Sequence, residues 1–402
     1  MASSYEPSRQ VLENYAKVLI NFALNSGEGV KPGEVVQCAV PDVASRLGLE
    51  LQNTLLKAGA HPIIRLLPTG FEKDFYELAN DEQLTFFPAD YYRARVKLID
   101  HQVGIIADVH PEELKDVDPQ KITKARDARD PYRRWLMQKE VDGKFTWTLG
   151  LWGVQAKADE VGLSLEEYWE QIIRACYLDH QDPVAEWQKM LSFQNEIKSK
   201  LNALEIDWLD IKGEDIDLRI QLGQNRIWQG GSGRNVPSFE FFTSPNWRGT
   251  SGRVHFNQPL YRYGNVLRDI DLRFENGQVV EAHARIGNSL LQQMLKSENA
   301  DKIGEYSLTD KRMSRITHVM AETLYDENIG GPFGNTHLAI GMAYKDCYRG
   351  DAGKVTKAEW EEFGYNDSPE HTDIVSTTDR TVTATLCNGV QKVIYKDGMF
   401  VL

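Results

Sequence analysis

The sequence predicts a chain of two parts, an N-terminal α/β domain with a mostly parallel sheet and helices, then a C-terminal α+β domain with antiparallel sheet. Three observations predict it. The 402 residues exceed what a single hydrophobic core usually holds. Up to about residue 205, short apolar runs alternate with stretches of helical spacing, the pattern of strands joined by crossover helices. Beyond it, period-two stretches are joined by Asn-Gly or Asp-Gly pairs, which favour tight hairpin turns. The expected domains are 1–205 and 206–402.

In the first part, Val11–Leu24 has apolar residues at helical spacing. Lys31-Pro32-Gly33 is a turn, and Glu34–Val40 reads as a short buried strand. Asp42 is placed to cap a helix to about Lys57, which Gly59 ends. His61–Leu67 and His101–Val109 read as further strands. Ser164 and Glu167 form a capping box for the next helix, and Asp182-Pro183 opens another that runs to about Leu204. In the second part, Ile216–Gly223, Arg253–Tyr261, Ile270–Ile286 and Thr381–Leu402 alternate as strands. Helices are expected at Ser289–Leu295 and Met313–Leu324.

Composition narrows the function classes. Hydrophobic residues make up 41% and charged residues 26%, as in ordinary soluble globular proteins. No apolar run approaches the roughly 18 residues of a membrane span, and the N-terminus lacks the basic start and apolar run of a secretory leader. Cys38, Cys176, Cys347 and Cys387 lie far apart with no CxxC pair, so reduced thiols in the cytoplasm are expected. The net charge of -13 argues against nucleic acid or anionic membrane as partner, because both need a basic patch.

The polar clusters that invite chemistry fall in the second part. Glu240 sits among aromatics in NVPSFEFFTSP, where a carboxylate is costly to ionise unless a cation meets it. A metal would serve, and so would Arg234 or Arg248. Glu305 follows Gly304 in a strand-like piece, a common setting for an exposed carboxylate. His337 heads a small apolar stretch, where a hydrogen-bonded core histidine is the more frequent occupant. His371 and Asp373 are two apart, so on a strand they face the same way and suit a metal. The alternatives are that Asp373 only orients His371, or caps a turn after Ser368-Pro369. Tyr344 is either an ordinary half-buried tyrosine or a donor to a developing oxyanion. There is no HExxH, no GxSxG, and no Gly-Lys-Ser/Thr after the glycines at 230–233.

NVPSFEFFTSP, IGEYSLTD, GNTHLAIGMAY and EHTD occur in that order. Together with ENYAKVLINFALN and the connector LGLWGVQAKADEVGLSLEEYWEQIIRACYLDHQDPVAEW, they resemble the aminopeptidase T / aminopeptidase S family of dinuclear metallo-aminopeptidases over most of the chain. The resemblance implies metal ligation by Glu240, Glu305, His337, His371 and Asp373, and catalytic roles for Tyr344 and Glu305. It implies a metal site in the C-terminal domain, with two divalent ions per chain, zinc or cobalt and alternatively magnesium or manganese. It also implies a cytoplasmic homodimer that hydrolyses N-terminal residues from peptides with a free N-terminus, using a two-metal-activated water. If one carboxylate bridges, this ligand set gives about three protein bonds per ion and leaves positions open. After EHTD, this chain reads IVSTTDRTVTATLCNG where relatives carry a more apolar stretch with a methionine and a glycine, which bears on substrate preference. The rival readings are a dinuclear hydrolase of another amide or a phosphate ester, and a non-catalytic scaffold with the same fold.

Overall fold

A computed structural model describes residues 5–262 and 265–402; the first residues of the stretch read for a leader lie outside them. In the first half, β1 (Val35–Pro41), β2 (His61–Leu67), β3 (His101–Ile106) and β4 (Thr146–Leu151) form a parallel sheet in the order β2-β1-β3-β4. Val36, Cys38, Val40 and Val103 bury their side chains completely, as central strands covered on both faces require. The crossover helix Ser45–Lys57 presents Leu47, Leu51 and Leu55 to the core, a single stripe at helical spacing.

Several expected elements are corrected here. Asp42 does not cap the helix: a 3-10 turn, Asp42–Ala44, intervenes, and its carboxylate accepts from Val43 N and Thr69 Oγ1. The first helix is regular only over Arg9–Val18, then widens and tightens through Leu19–Gly27, where Asn25 and Ser26 take positive φ. The third strand ends at Ile106 rather than Val109. The helix Pro119–Val141 and β4 had no sequence-level counterpart. That helix buries only Ala125 and carries Pro131 in its interior, so it shows no apolar stripe to read.

The connector follows its local signals. Ser164 and Glu167 exchange the expected capping hydrogen bonds ahead of Leu165–Ala175, and Asp182 accepts from Ala185 N as Pro183–Ala203 begins. The chain divides inside this last helix. One compact unit extends to Gln188 and includes Ser232–Pro237; the other comprises Lys189–Gly231 and Ser238–Leu402.

The second unit holds β5 (Ile206–Gly213), β6 (Ile216–Gln221), β7 (Glu240–Thr243), β8 (Asn246–Phe256), β9 (Leu260–Arg262), β10 (Asn265–Glu275), β11 (Gln278–Ile286), β12 (Ile303–Thr309), β13 (Asn335–Gly341), β14 (His371–Ser376), β15 (Arg380–Leu386), β16 (Gln391–Lys396) and β17 (Met399–Phe400). A nine-stranded sheet runs β11-β10-β8-β6-β5-β15-β16-β17 with β9 on β10, and a separate four-stranded sheet runs β14-β13-β12-β7. Both are antiparallel, as expected. At Asn276-Gly277 and Asp397-Gly398 both turn residues take positive φ, the backbone of a tight hairpin turn.

The helix expected at Met313–Leu324 is absent; only Thr323–Asp326 is helical. Met313, Ile316, Met320 and Leu324 are buried, so their spacing imitates a helical stripe. The backbone instead turns with Ala321 at φ 51, and the Asp326 carboxylate accepts from Met320 N (2.6 Å) and Glu322 N (3.1 Å). The other expected helix stands one residue early, at Asn288–Met294. No helix of the described residues is long and apolar enough to cross a membrane.

Candidate metal centre

The four-stranded sheet is organised around what its register brings to one face. Residues paired across antiparallel strands share a face, as do residues two apart along a strand. Thr309 pairs with Glu240 and Ser307 with Phe242. Ser307 also pairs with His337, and His337 with Val375. Ala339 pairs with both Glu305 and Asp373, and Gly341 with His371. Glu240, Glu305, His337, His371 and Asp373 therefore stand on one face, contributed by β7, β12, β13 and β14 in turn. The opposite face carries Phe241, Tyr306, Leu338, Ile340 and Ile374, all buried, and this apolar packing holds the register.

The side chains converge closely. His337 Nε2 lies 2.9 Å from Glu305 Oε1, 3.2 Å from Glu240 Oε2 and 3.9 Å from Asp373 Oδ1. His371 Nε2 lies 3.4 Å from Asp373 Oδ1 and 3.9 Å from Glu305 Oε2. Glu305 thus reaches both imidazoles, one through each oxygen. Ligand atoms of Glu240, Glu305 and His337 all fall within 4.8 Å of one another.

Both imidazoles are held by their far nitrogens. His371 Nδ1 donates to Met342 O (2.9 Å) and His337 Nδ1 faces Glu327 O (3.3 Å), so each Nε2 faces the carboxylates, where it donates when protonated and offers its lone pair to a metal when neutral. A main-chain carbonyl on one ring nitrogen is the usual support of a metal-ligating histidine. The crossing that brings Met342 to His371 depends on Gly341, at φ 101, where a Cβ would stand 2.1 Å from Glu370 O.

The bland readings of these residues meet specific observations. Glu240 has His337 and Ser307 Oγ (3.5 Å) as neighbours. Arg234 instead pairs with Glu140 at 2.9 Å, and the Arg248 guanidinium lies over the Trp247 ring. Asp373 is not needed to orient His371, since Met342 does so. Nor does it cap the preceding turn, where Ser368 Oγ accepts from Glu370 N (3.2 Å). Tyr344 lies against the His371 ring, centroids 4.7 Å apart, with Phe242 at 5.8 Å.

One residue at the site was not singled out from sequence. Glu327, in the loop between β12 and β13, is 8% exposed, and its carboxyl feels Glu240, Asp373, His337 and Glu305. Its only sequence signal is the acidic pair in LYDEN, which an exposed turn would share.

Burial and crowding set the charge states. Glu305 is pushed up to about 7 by burial, with Glu240 and Asp373 adding and His337 opposing. Burial raises Glu327 well above the carboxylate range, with the same carboxylates adding. Burial works against a charged His337, but Glu240 and Glu305 outweigh it and raise the imidazole well above its ordinary value. His371 follows the same pattern with Asp373 and reaches about 9. Asp373, although burial opposes ionisation, is held down to about 2 by His371.

The donor set fits divalent metal. Four carboxyls, those of Glu240, Glu305 and Glu327 buried and that of Asp373 nearly so, face two imidazoles, and Asp373 Oδ1 is out of solvent with His371 Nε2 3.4 Å away. Without an ion, protons must supply the missing positive charge, which gives a testable linkage. Glu305 (4.5 to about 7) and His371 (6.5 to about 9) both bind protons more tightly in the folded state. Their contribution is complete below the unfolded values and is lost as pH rises through the folded ones. Asp373 acts oppositely, and only as pH falls from 3.8 toward about 2. Chelator-treated protein should therefore lose melting temperature as pH is raised from about 6 to about 9, and added zinc should suppress that loss. A profile that zinc leaves unchanged would contradict this account.

Comparison with known proteins matches the chain to a metalloprotease family. The model of a family described as thermophilic metalloprotease (M29) matches residues 8–400. The chain is 28% identical over 415 residues to aminopeptidase AmpS of Bacillus subtilis (strain 168), covering 97% of this chain and 98% of the relative. It is 28% identical over 346 residues to aminopeptidase T of Thermus thermophilus, covering 81% and 83%. The solved structure of wild-type AmpT from Thermus thermophilus superimposes with a TM-score of 0.83 at 24% identity, over 98% of this chain and 100% of that one. It establishes the shared mixed α/β fold.

Proposed function

The chain belongs to the thermophilic metalloprotease (M29) family, and from that premise we propose that it is a metal-dependent aminopeptidase. Its relatives over nearly the whole length bear the name aminopeptidase. The observation that carries the reading is the convergence of Glu240, Glu305, His337, His371 and Asp373 on one sheet face with both imidazole Nε2 atoms turned to carboxylates.

These five residues would hold two divalent ions, and Glu305 is central among them because its two oxygens face different histidines. Imidazole and carboxylate donors suit zinc or cobalt, with magnesium or manganese as alternatives. Bound there, the ions would polarise the scissile carbonyl and lower the proton affinity of a water. The remaining work falls to the chain's own groups. Tyr344 keeps its phenol proton, since burial and then Glu305, Asp373, Glu327 and Glu240 all disfavour the phenolate. Its O–H is thus a donor for the carbonyl oxygen as that atom gains negative charge. Glu327, whose carboxyl burial raises well above the carboxylate range, is assigned the transfer of a proton to the leaving amine.

The substrate of this reading is a peptide with a free N-terminus. The catalytic part is assigned to residues 206–402, which contain every one of these residues, and the α/β part to 1–205. A cytoplasmic location goes with free thiols at Cys38, Cys176, Cys347 and Cys387. A homodimer follows from the family resemblance, and light scattering tests it. The decisive assay compares an aminoacyl-anilide with its N-acetyl form. Only the free amine should be cleaved, and equal cleavage of both would exclude an exopeptidase in favour of a general amide hydrolase.

A further inference from the structure

On β8, β10 and β11 of the nine-stranded sheet, Val254, Phe256, Ile270, Leu272 and Ala284 point into the core. The alternate positions, His255, Asp271 and His283, point outward to solvent. The register pairs Asp271 with His255 on one side and with His283 on the other. Directly paired residues share a face, so the three form a row across three strands with the carboxylate between the imidazoles. His255 Nδ1 lies 3.0 Å from Asp271 Oδ1.

The row lines a concavity of about 490 Å³ that also contains Glu214, Asp215, Glu281, Arg253 and Arg273. With neutral histidines, these arginines leave the acids Glu214, Asp215, Asp271 and Glu281 in excess by two charges (four negative, two positive). Arg273 is moreover engaged by Glu275 and Glu281, so it does not compete for Asp271.

We propose that His255, Asp271 and His283 form a second metal site, separate from the catalytic centre, that takes a divalent ion of the zinc class. Strands lie roughly 4.8 Å apart, so the outer two histidines stand two strand spacings apart, a gap that both imidazoles would close by turning inward over the aspartate. Two neutral imidazoles and one carboxylate are a common zinc donor set, with water completing it. The ion would replace a partly exposed His–Asp pair of little intrinsic worth and tie three neighbouring strands together. Because it binds only the folded chain, it stabilises by mass action. Its position on an open face leaves it exchangeable with free zinc.

The test uses metal-loaded enzyme titrated with zinc alone, by calorimetry and by thermal melting, in the natural chain, H283A and H255A/H283A. The natural chain should bind one more zinc equivalent than either variant and should melt higher as zinc is added, while turnover at low zinc stays the same in all three. The catalytic ions cancel in the difference, and circular dichroism of each variant reports folding. H283A leaves the His255–Asp271 pair intact, so it separates that pair from a three-ligand site. Equal zinc stoichiometry and equal zinc-dependent melting across the three proteins would overturn the proposal. Retention of the extra equivalent in H283A would overturn the three-residue assignment.

Discussion

Glu305→Gln is expected to abolish peptidase activity while making the metal-free protein more stable at pH 8. Glu305 is 3% exposed and touches His337 at 2.9 Å and His371 at 3.9 Å. Glutamine keeps the shape but replaces an anionic oxygen with a neutral amide, so metal loading and turnover fall together. A loss of at least ~10³-fold in kcat/KM, about 4 kcal/mol, is expected for removal of this proposed metal ligand. The stability change has the opposite sign. At pH 8 the metal-free protein must leave a buried carboxylate beside Glu240 and Asp373 or take up a proton, and the neutral amide avoids both costs. Turnover, metal content and melting with and without chelator measure the three effects. Full metal content with full activity would remove Glu305 from the centre.

Tyr344→Phe should lower kcat by ~10²–10³-fold, roughly 3–4 kcal/mol of transition-state stabilisation, and leave metal content unchanged. Phenylalanine keeps the ring contacts with His371 and Phe242, and the backbone N–H still donates to Ser244 Oγ (2.8 Å). Only the O–H is lost. Tyr344 is 37% exposed as a whole residue, so the substitution opens no sealed core cavity. An effect confined to kcat identifies a donor used in the transition state, whereas a rise in KM alone would indicate ground-state binding. Unchanged kcat would take the hydroxyl out of the reaction.

What could be read without coordinates was local. The Ser164–Glu167 capping box and the Asn276-Gly277 turn depend on neighbours three or fewer residues away. His371 and Asp373 were readable because strand geometry alone puts residues two apart on one side. The error at 313–324 is also instructive. Buried residues there repeat at helical intervals, yet the backbone donors go to the Asp326 carboxylate, a partner that hydrophobic spacing does not reveal.

By itself, then, the sequence determined the parallel sheet of the first part, the antiparallel sheet of the second, the hairpin turns and the pairing of His371 with Asp373. Each of these follows from backbone geometry over a few residues. Only the tertiary structure decided that Glu240 meets His337 rather than an arginine, that Glu305 reaches both imidazoles, and that Glu327 belongs to the centre. Those outcomes depend on the register of β7, β12, β13 and β14. A shift of one residue in any of these strands would turn its ligands to the opposite face. The apolar packing of Phe241, Tyr306, Leu338 and Ile374, drawn from distant parts of the chain, excludes that shift.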